Sequence, residues 1–386
     1  MYLPIFAENL ETGMSLRNVK SLLIAAFSLV IVFFCIPAIA QHEVADSAAT
    51  EAHAGSEHHE AKEGDFEPGK VIMEHIMDNH DFHIADVNGH PISLPLPIIV
   101  YSPQKGFSVF MSSKFEHGHA SYQGYKLEEG VIKAVNDDGS INETTKVYDF
   151  SLTRNVTQMF LSLIVLVVLL LGVAKKYQQQ GAKVAPSGFQ NAVEPVIIFI
   201  RDEVGKSNLG HKYEKYMPYL LTVFFFILIG NIFGLIPGSA NVTGNIAFTT
   251  VLGVISFVVI ILSTNKHFWG HVFNFPGVPV PVKIILLFVE LLGIFTKPFA
   301  LIIRLFANMV AGHMIITCLV MMIFIFAKLS IGAGIGFAPV SMAFTVFIYV
   351  IEVLVAFIQA FIFTNLTAVF IAQAFEGEHE HAEAHH

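Results

Sequence analysis

Two very long apolar stretches, residues 283–327 and 338–374, constrain this chain more than any other feature. As helices they would extend roughly 67 and 55 Å at about 1.5 Å per residue, against a hydrocarbon core of about 30 Å. They must tilt strongly, lie along the membrane or break, and Pro298 supplies a kink point in the first. Three shorter apolar segments, 156–174, 217–237 and 246–263, each approach the length of about 20 residues that one crossing requires. With 54% hydrophobic and only 14% charged residues, the chain lies outside the range of soluble proteins of its size. The expected fold class is an all-α polytopic membrane protein with five membrane-embedded helical segments, two of them long and tilted.

The N-terminus has the order of an export signal. Arg17 and Lys20 precede the run "SLLIAAFSLVIVFFCI", and Pro37 and the triplet Ala38-Ile39-Ala40 follow, which predicts a signal peptide over 1–40 cleaved before Gln41, with an uncleaved first transmembrane helix as the alternative. Glu8 and Glu11 do not suit the positive end of such a signal, whereas "MSLRNVK" does, so Met14 is the expected start. Residues 41–150 then form an extracytoplasmic extension. Residues 41–90 hold 12 acidic side chains against Lys62 and Lys70, and 41–85 are expected to be a disordered or loosely helical arm. Beyond it, Asn88-Gly89 and "NDDGS" at 136–140 are hairpin signals beside "ISLPLPIIVYS" and "GVIKAV", which predict a small β-rich cap.

Orientation follows from the basic residues. Residues 175–216 contain Lys175, Lys176, Lys183, Arg201, Lys206, Lys212 and Lys215, whereas the loop expected at 238–245 has none and the loop expected at 328–337 has only Lys328. The membrane domain, 151–375, is therefore expected to have its N-terminus outside and its C-terminal tail, 376–386, in the cytoplasm of a bacterial inner membrane. Within the inner segment, Phe189, Val193, Val196, Ile197, Ile200 and Val204 share one helical face, with Ser187 and Gln190 as a capping box. That pattern reads as an interfacial amphipathic helix.

The polar residues inside the apolar segments point to function. An arginine at the centre of a membrane helix costs roughly 2.5–3.5 kcal/mol, so it faces protein or a water-filled cavity unless it can snorkel. Arg304 has about twenty apolar-rich residues on either side, a long way to snorkel. Glu290 lies 14 residues before it and His313 nine after. At about 100° per residue Glu290 returns to within some 40° of the same face, roughly 21 Å away. On the last segment Glu352 and Gln359 are seven apart and share a face. If the two segments run antiparallel, pairing Arg304 with Gln359 (index sum 663) brings His313 almost level with Glu352 (sum 665). Each residue alone could be a packing group bonded to a backbone carbonyl, but a level His/Glu couple suits a proton relay and offers too few ligands for a stable metal site.

The stretch "RLFANMVAGH", preceded by "ELLGIFTKPFALII" and followed on the last helix by "IEVLVAFIQAFIF", resembles subunit a of F-type ATP synthases over about residues 150–375. The resemblance implies the ion-translocating membrane stator subunit, non-catalytic by itself, with two offset half-channels facing a c-subunit ring. It implies that Arg304 is the essential charge opposite the ring carboxylates, with Asn308 and Gln359 as polar companions. Glu290 would belong to the cytoplasmic access path and His313 with Glu352 to the outer half-channel, a pair that some family members carry exchanged. The implied partners are the c-ring, the b-subunit peripheral stalk, the rest of the synthase and the lipid bilayer; no cofactor, metal or nucleic acid is expected.

Residues 41–150 lie outside the resemblance. Eight of the 18 histidines fall between His42 and His90, and the tail "EHEHAEAHH" adds four. Solvated acidic tails are the plainer reading, with metal buffering the alternative. Two other classes stand against the stator reading. A secondary ion transporter would show internal repeats, of which there is none; a membrane-anchored metal-binding or interaction protein would explain the histidines but not Arg304.

Overall fold

The computed structural model describes residues 78–374 apart from 88–89, 119, 129, 137–139, 143–144, 181–187, 237–238, 265 and 274–279. The expected signal peptide, residues 41–77 of the arm and the tail at 376–386 fall outside the described residues.

The first unit is built from short antiparallel strands. β1 (Asp81–Val87) and β2 (His90–Pro95) flank Asn88-Gly89 and pair from Val87↔His90 outward. β3 (Pro97–Ser102) lies between β4 (Gly106–Met111) and β8 (Tyr148–Asp149). β5 (Ser121–Tyr122), β6 (Tyr125–Glu128) and β7 (Val131–Ala134) form a third small sheet. Alternation along β3 turns Ile98 and Val100 inward, where they meet Phe110, Phe115, Tyr125 and Ile132.

The loose arm does not extend to residue 85. The Asp78 carboxylate accepts from the amide of Asn155 at 3.1 Å, and the amide of Arg154 donates to the Asn79 carbonyl at 2.9 Å. His80 is only 5% exposed, with Nε2 2.6 Å from Asp149 Oδ2. Burial pulls the His80 pKa down, but the hydrogen bond and charge of Asp149, with the charges of Asp78 and Asp81, hold it above its ordinary value. Burial pushes Asp149 up, and the bonds to His80 and Ser151 bring it below the usual carboxylate range. Asp78 is pushed up by burial. These partners lie about 70 positions away in sequence, so local acidic composition gave no sign of them.

Helix α1 (Arg154–Gln180) starts at Thr153, whose Oγ1 accepts from the amide of Val156. Helix α2 (Phe189–Phe199) continues through a π-helical turn at Ile200–Lys206. Its N-cap residue is Gly188, without a side-chain cap, and Gln190 is buried rather than closing a capping box. Val193, Ile197, Ile200 and Val204 form the buried face as expected, while Phe189 is exposed. After a tight turn at Gly210 the chain enters α3 (Tyr213–Leu235), the most enclosed helix, with Leu220, Phe224 and Ile227 fully buried. Helix α4 (Ile246–Leu262) is capped by Asn245, whose Oδ1 accepts from the amide of Ala247 at 2.9 Å. A short helix, α5 (Lys266–Phe273), precedes the two long ones.

Helices α6 (Val280–Leu329) and α7 (Ile331–Gln373) correspond to the long apolar stretches. Pro298 does not break α6: a proline removes one helical hydrogen bond, and in a long membrane helix the turn on either side carries the chain through. Nor is 328–337 a loop. Only Ser330 separates the helices, its Oγ accepting from the amide of Ala333 at 3.1 Å. Of the glycines here, Gly334 serves close packing: a Cβ on it would sit 2.8 Å from the Cα of Ala327. By length and apolarity, four of the described helical stretches can cross a membrane, beginning at Arg154, Phe189, Ile285 and Ile331; α4, with 17 residues, is shorter. In the crossing stretch that contains α3, 56% of the most apolar window is buried, against 17% in α6. The chain therefore covers α3 with its own helices and leaves one side of α6 bare.

Candidate functional site

The site lies along the antiparallel contact of α6 and α7. Gln359 Nε2 donates to the backbone carbonyl of Arg304 at 2.7 Å, fixing the index sum at 663. Seven residues back on α7, the Glu352 carboxyl rests directly on the Cα of Gly312, where any Cβ would collide with it. That contact has a sum of 664, so Glu352 stands level with the turn that carries His313. Thr345, Glu352 and Gln359 are all buried and, at seven-residue spacing, form one polar column on the face of α7 that meets its neighbours.

Arg304 is placed differently. Its main chain is gripped by Gln359, but its side chain is exposed, and among the described residues no carboxylate pairs with it. Leu301, Leu305, Gln359, Ile362 and Phe363 line the shallow cleft beside it. Asn308, one turn on, is exposed on the same side, and the surrounding α6 surface is apolar: Phe299, Ile303, Met314 and Ile315 are all exposed. An exposed guanidinium on a mostly apolar face is costly against lipid alone. Glu290 is half-buried on α6, roughly 21 Å from Arg304 along the helix, and the structure does not bring the two together.

The hairpin is held by polar groups that sequence reading did not single out. Asn241 Nδ2 donates to the Met309 carbonyl at 3.1 Å, Asn231 Nδ2 to the Ala356 carbonyl at 3.2 Å, and Ser341 Oγ to the Leu319 carbonyl. At the other end, Lys297 Nζ reaches Gln373 Oε1 at 2.7 Å and lies over the Phe370 ring. A lone asparagine in "FFFILIGNIFGL" was the available signal for Asn231. Asn231 Oδ1 and Thr345 Oγ1 are buried with no hydrogen-bond partner among the described residues.

Comparison with known proteins divides the chain at the same place as the fold. Residues 71–150 match a domain of unknown function, DUF8433, and residues 157–372 match the family described as ATP synthase A chain. A protein of Chloroherpeton thalassium named ATP synthase subunit a is 45% identical over 241 residues, 62% of this chain and 71% of its own. Two proteins of the same name, from different strains of Chlorobium phaeobacteroides, match nearly end to end. One is 37% identical over 89% of this chain and 88% of its own, the other 36% over 94% and 95%. With more than half of its length inside the family match, and with the polar groups of α6 and α7 in one register, this chain belongs to the ATP synthase A chain family.

Proposed function

We propose that the α6–α7 hairpin is the ion-translocating wall of this subunit, with Arg304 as the fixed charge that meets the carboxylates of a c-subunit ring. The chain is a non-catalytic, proton-translocating stator subunit of the Fo part of the ATP synthase and works with the rest of that complex. The observation that carries the finer reading is the placement of Arg304: main chain gripped from α7, side chain exposed on a bare apolar face and unpaired among the described residues.

The chemistry follows from the cost of charge in lipid. A ring carboxylate crosses hydrocarbon protonated, because the bare anion is prohibitively costly there. Opposite Arg304 the anion is favoured and the proton leaves. A guanidinium stays charged throughout, so it also blocks direct passage between two offset half-channels. A membrane potential contributes about 2.3 kcal/mol per charge per 100 mV, which the offset turns into rotation.

His313 with Glu352 forms the outer half-channel, Glu290 belongs to the cytoplasmic access path, and Asn308 and Gln359 flank the arginine. Thr345 Oγ1 and Asn231 Oδ1 support a wet route beside Glu352, since buried polar atoms without protein partners recruit water. In this reading α2 lies along the cytoplasmic interface of the inner membrane, the β-rich unit is extracytoplasmic, and the b-subunit stalk holds the assembly.

Arg304→Ala tests the proposal. It should abolish ATP-driven pumping and synthesis in vesicles while the complex still assembles, and Arg304→Lys should restore little. Coupled synthesis at the normal rate in the alanine variant would refute the assignment.

A further inference from the structure

One face of the β-rich unit has no role in the ion path and no cover from the described chain. In the sheet β4-β3-β8, directly paired residues share a face. Phe107, Val109 and Met111 of β4 stand opposite Tyr101, Ile99 and Pro97 of β3, and Tyr148 of β8 stands opposite Tyr101. The strand after β8 keeps the parity: the amides of Phe150 and Leu152 bond the carbonyls of Ile99 and Pro97. This face is therefore apolar or aromatic at every position, with no charged side chain. Its other side, carrying Ile98, Val100 and Phe110, is the unit's core.

The exposure is pronounced. Phe107 is 71% and Val109 65% exposed, whereas the inward residues are buried. Three rings run across the strands, with Phe107 and Tyr101 at 4.8 Å and Tyr101 and Tyr148 at 6.3 Å between centroids. A sheet normally turns polar residues outward when its second face meets water. An uninterrupted apolar face of this kind marks a contact surface.

Its position identifies what it touches. The strand that carries Tyr148, Phe150 and Leu152 runs straight into α1, which begins at Arg154 and is long and apolar enough to cross a membrane. β4 lies two strand spacings away, about 10 Å. The apolar face thus borders the start of α1, a helix that itself exposes Leu161, Ile164 and Val168. Clustered aromatic rings suit the headgroup boundary, where a ring sits with one edge in each environment.

We propose that this sheet face is a membrane-docking surface, seated in the interfacial zone of the leaflet at which α1 enters the bilayer. Its ligand is the lipid surface itself, held by burial of Phe107, Val109 and Met111. The proposal needs α1 to cross the membrane but not the roles assigned to Arg304 or the half-channels, so the two stand or fall separately.

This chain has a single tryptophan, Trp269, so its own indole emission can be removed. In the intact complex with Trp269→Phe, whose remaining emission is subtracted as background, Val109→Trp and Phe107→Trp are compared with Ser121→Trp, at an exposed position on β5 of another sheet. The variants are reconstituted into vesicles of lipids brominated near the headgroup end of the acyl chains. The indoles introduced by Val109→Trp and Phe107→Trp should be strongly quenched and several-fold less accessible to iodide than the one introduced by Ser121→Trp. Equal iodide access in all three variants with no lipid quenching would show a water-facing surface and overturn the proposal. Protection from iodide without lipid quenching would overturn it too, assigning the face to protein. Repeating that measurement without residues 41–70 would then separate the chain's own arm from a neighbouring subunit.

Discussion

Gln359 on α7 holds Arg304 on α6 by its backbone, the amide Nε2 donating to the carbonyl at 2.7 Å, so the guanidinium keeps its donors for the surface it faces. Losing such a hydrogen bond costs about 1 kcal/mol. Gln359→Ala should therefore assemble normally and loosen the arginine's position, lowering pumping several-fold without abolishing it. Dye quenching in inverted vesicles reads the difference, and unchanged pumping would mean the grip is irrelevant to transport.

Gly312 is the floor on which the Glu352 carboxyl rests. Gly312→Ala should displace that carboxyl and slow pumping by about tenfold or more, the kinetic equivalent of about 1.4 kcal/mol. Because a shorter acid leaves room for a methyl group, Glu352→Asp in the same chain should recover part of the lost rate. A double variant no faster than Gly312→Ala would show that the contact is only structural.

The antiparallel register makes a covalent test available. With Cys35 and Cys318 first changed to serine, His313→Cys and Glu352→Cys together should form a disulfide, which requires Cα atoms about 4.4–6.8 Å apart. The pair His313→Cys and Thr345→Cys, offset by two turns, should not. Gel mobility after mild oxidation decides, and the reverse preference would place α7 in a different register.

The His80–Asp149 bond predicts a pH window for the β-rich unit. Asp149 is held below its ordinary pKa, so its contribution is complete above about pH 4 and is lost as pH falls through its lowered value. His80 is held above its ordinary pKa, so its contribution is complete below about pH 6.5 and is lost as pH rises through its raised value. Asp78, pushed up by burial, costs stability as pH rises from about 4 through its raised value, which tilts the optimum to the acid side and does not oppose the alkaline decline. Protection of residues 78–150 from protease should thus be greatest toward the acid end of the window between about pH 4 and 6.5. His80→Ala should cost about 2 kcal/mol within that window and flatten its alkaline edge.

The register of the site was readable because helical periodicity places side chains mechanically. Sums of 663 and 665 from polar residues alone differ by at most one from the contacts at 663 and 664. What stayed hidden was every bond to a main-chain carbonyl, as from Asn241 to Met309, because an acceptor that all residues possess leaves no mark in sequence. The one-residue turn at Ser330 was hidden because a gap between two apolar stretches reads as a loop, whereas the close approach of Gly334 to Ala327 lets the helices nearly abut. In the β-rich unit, the alternation through "PIIVYS" and "GFSVFM" reveals strands, yet not that both faces would be apolar, since that depends on which strands meet.

The one-residue junction at Ser330 has a mechanical consequence. A hairpin with a long connector can yield under load, one helix creeping along the other. Here the amide of Ala333 is tied to Ser330, and Gly334 lies against Ala327, so the two rails share a closed end with no slack. Creep by a single residue would advance α7 by about 1.5 Å and swing its polar column by about 100°. In the proposed role such a wall has little backlash: torque that a rotor exerted on it would return as motion of the rotor instead of being absorbed by a shift in the track.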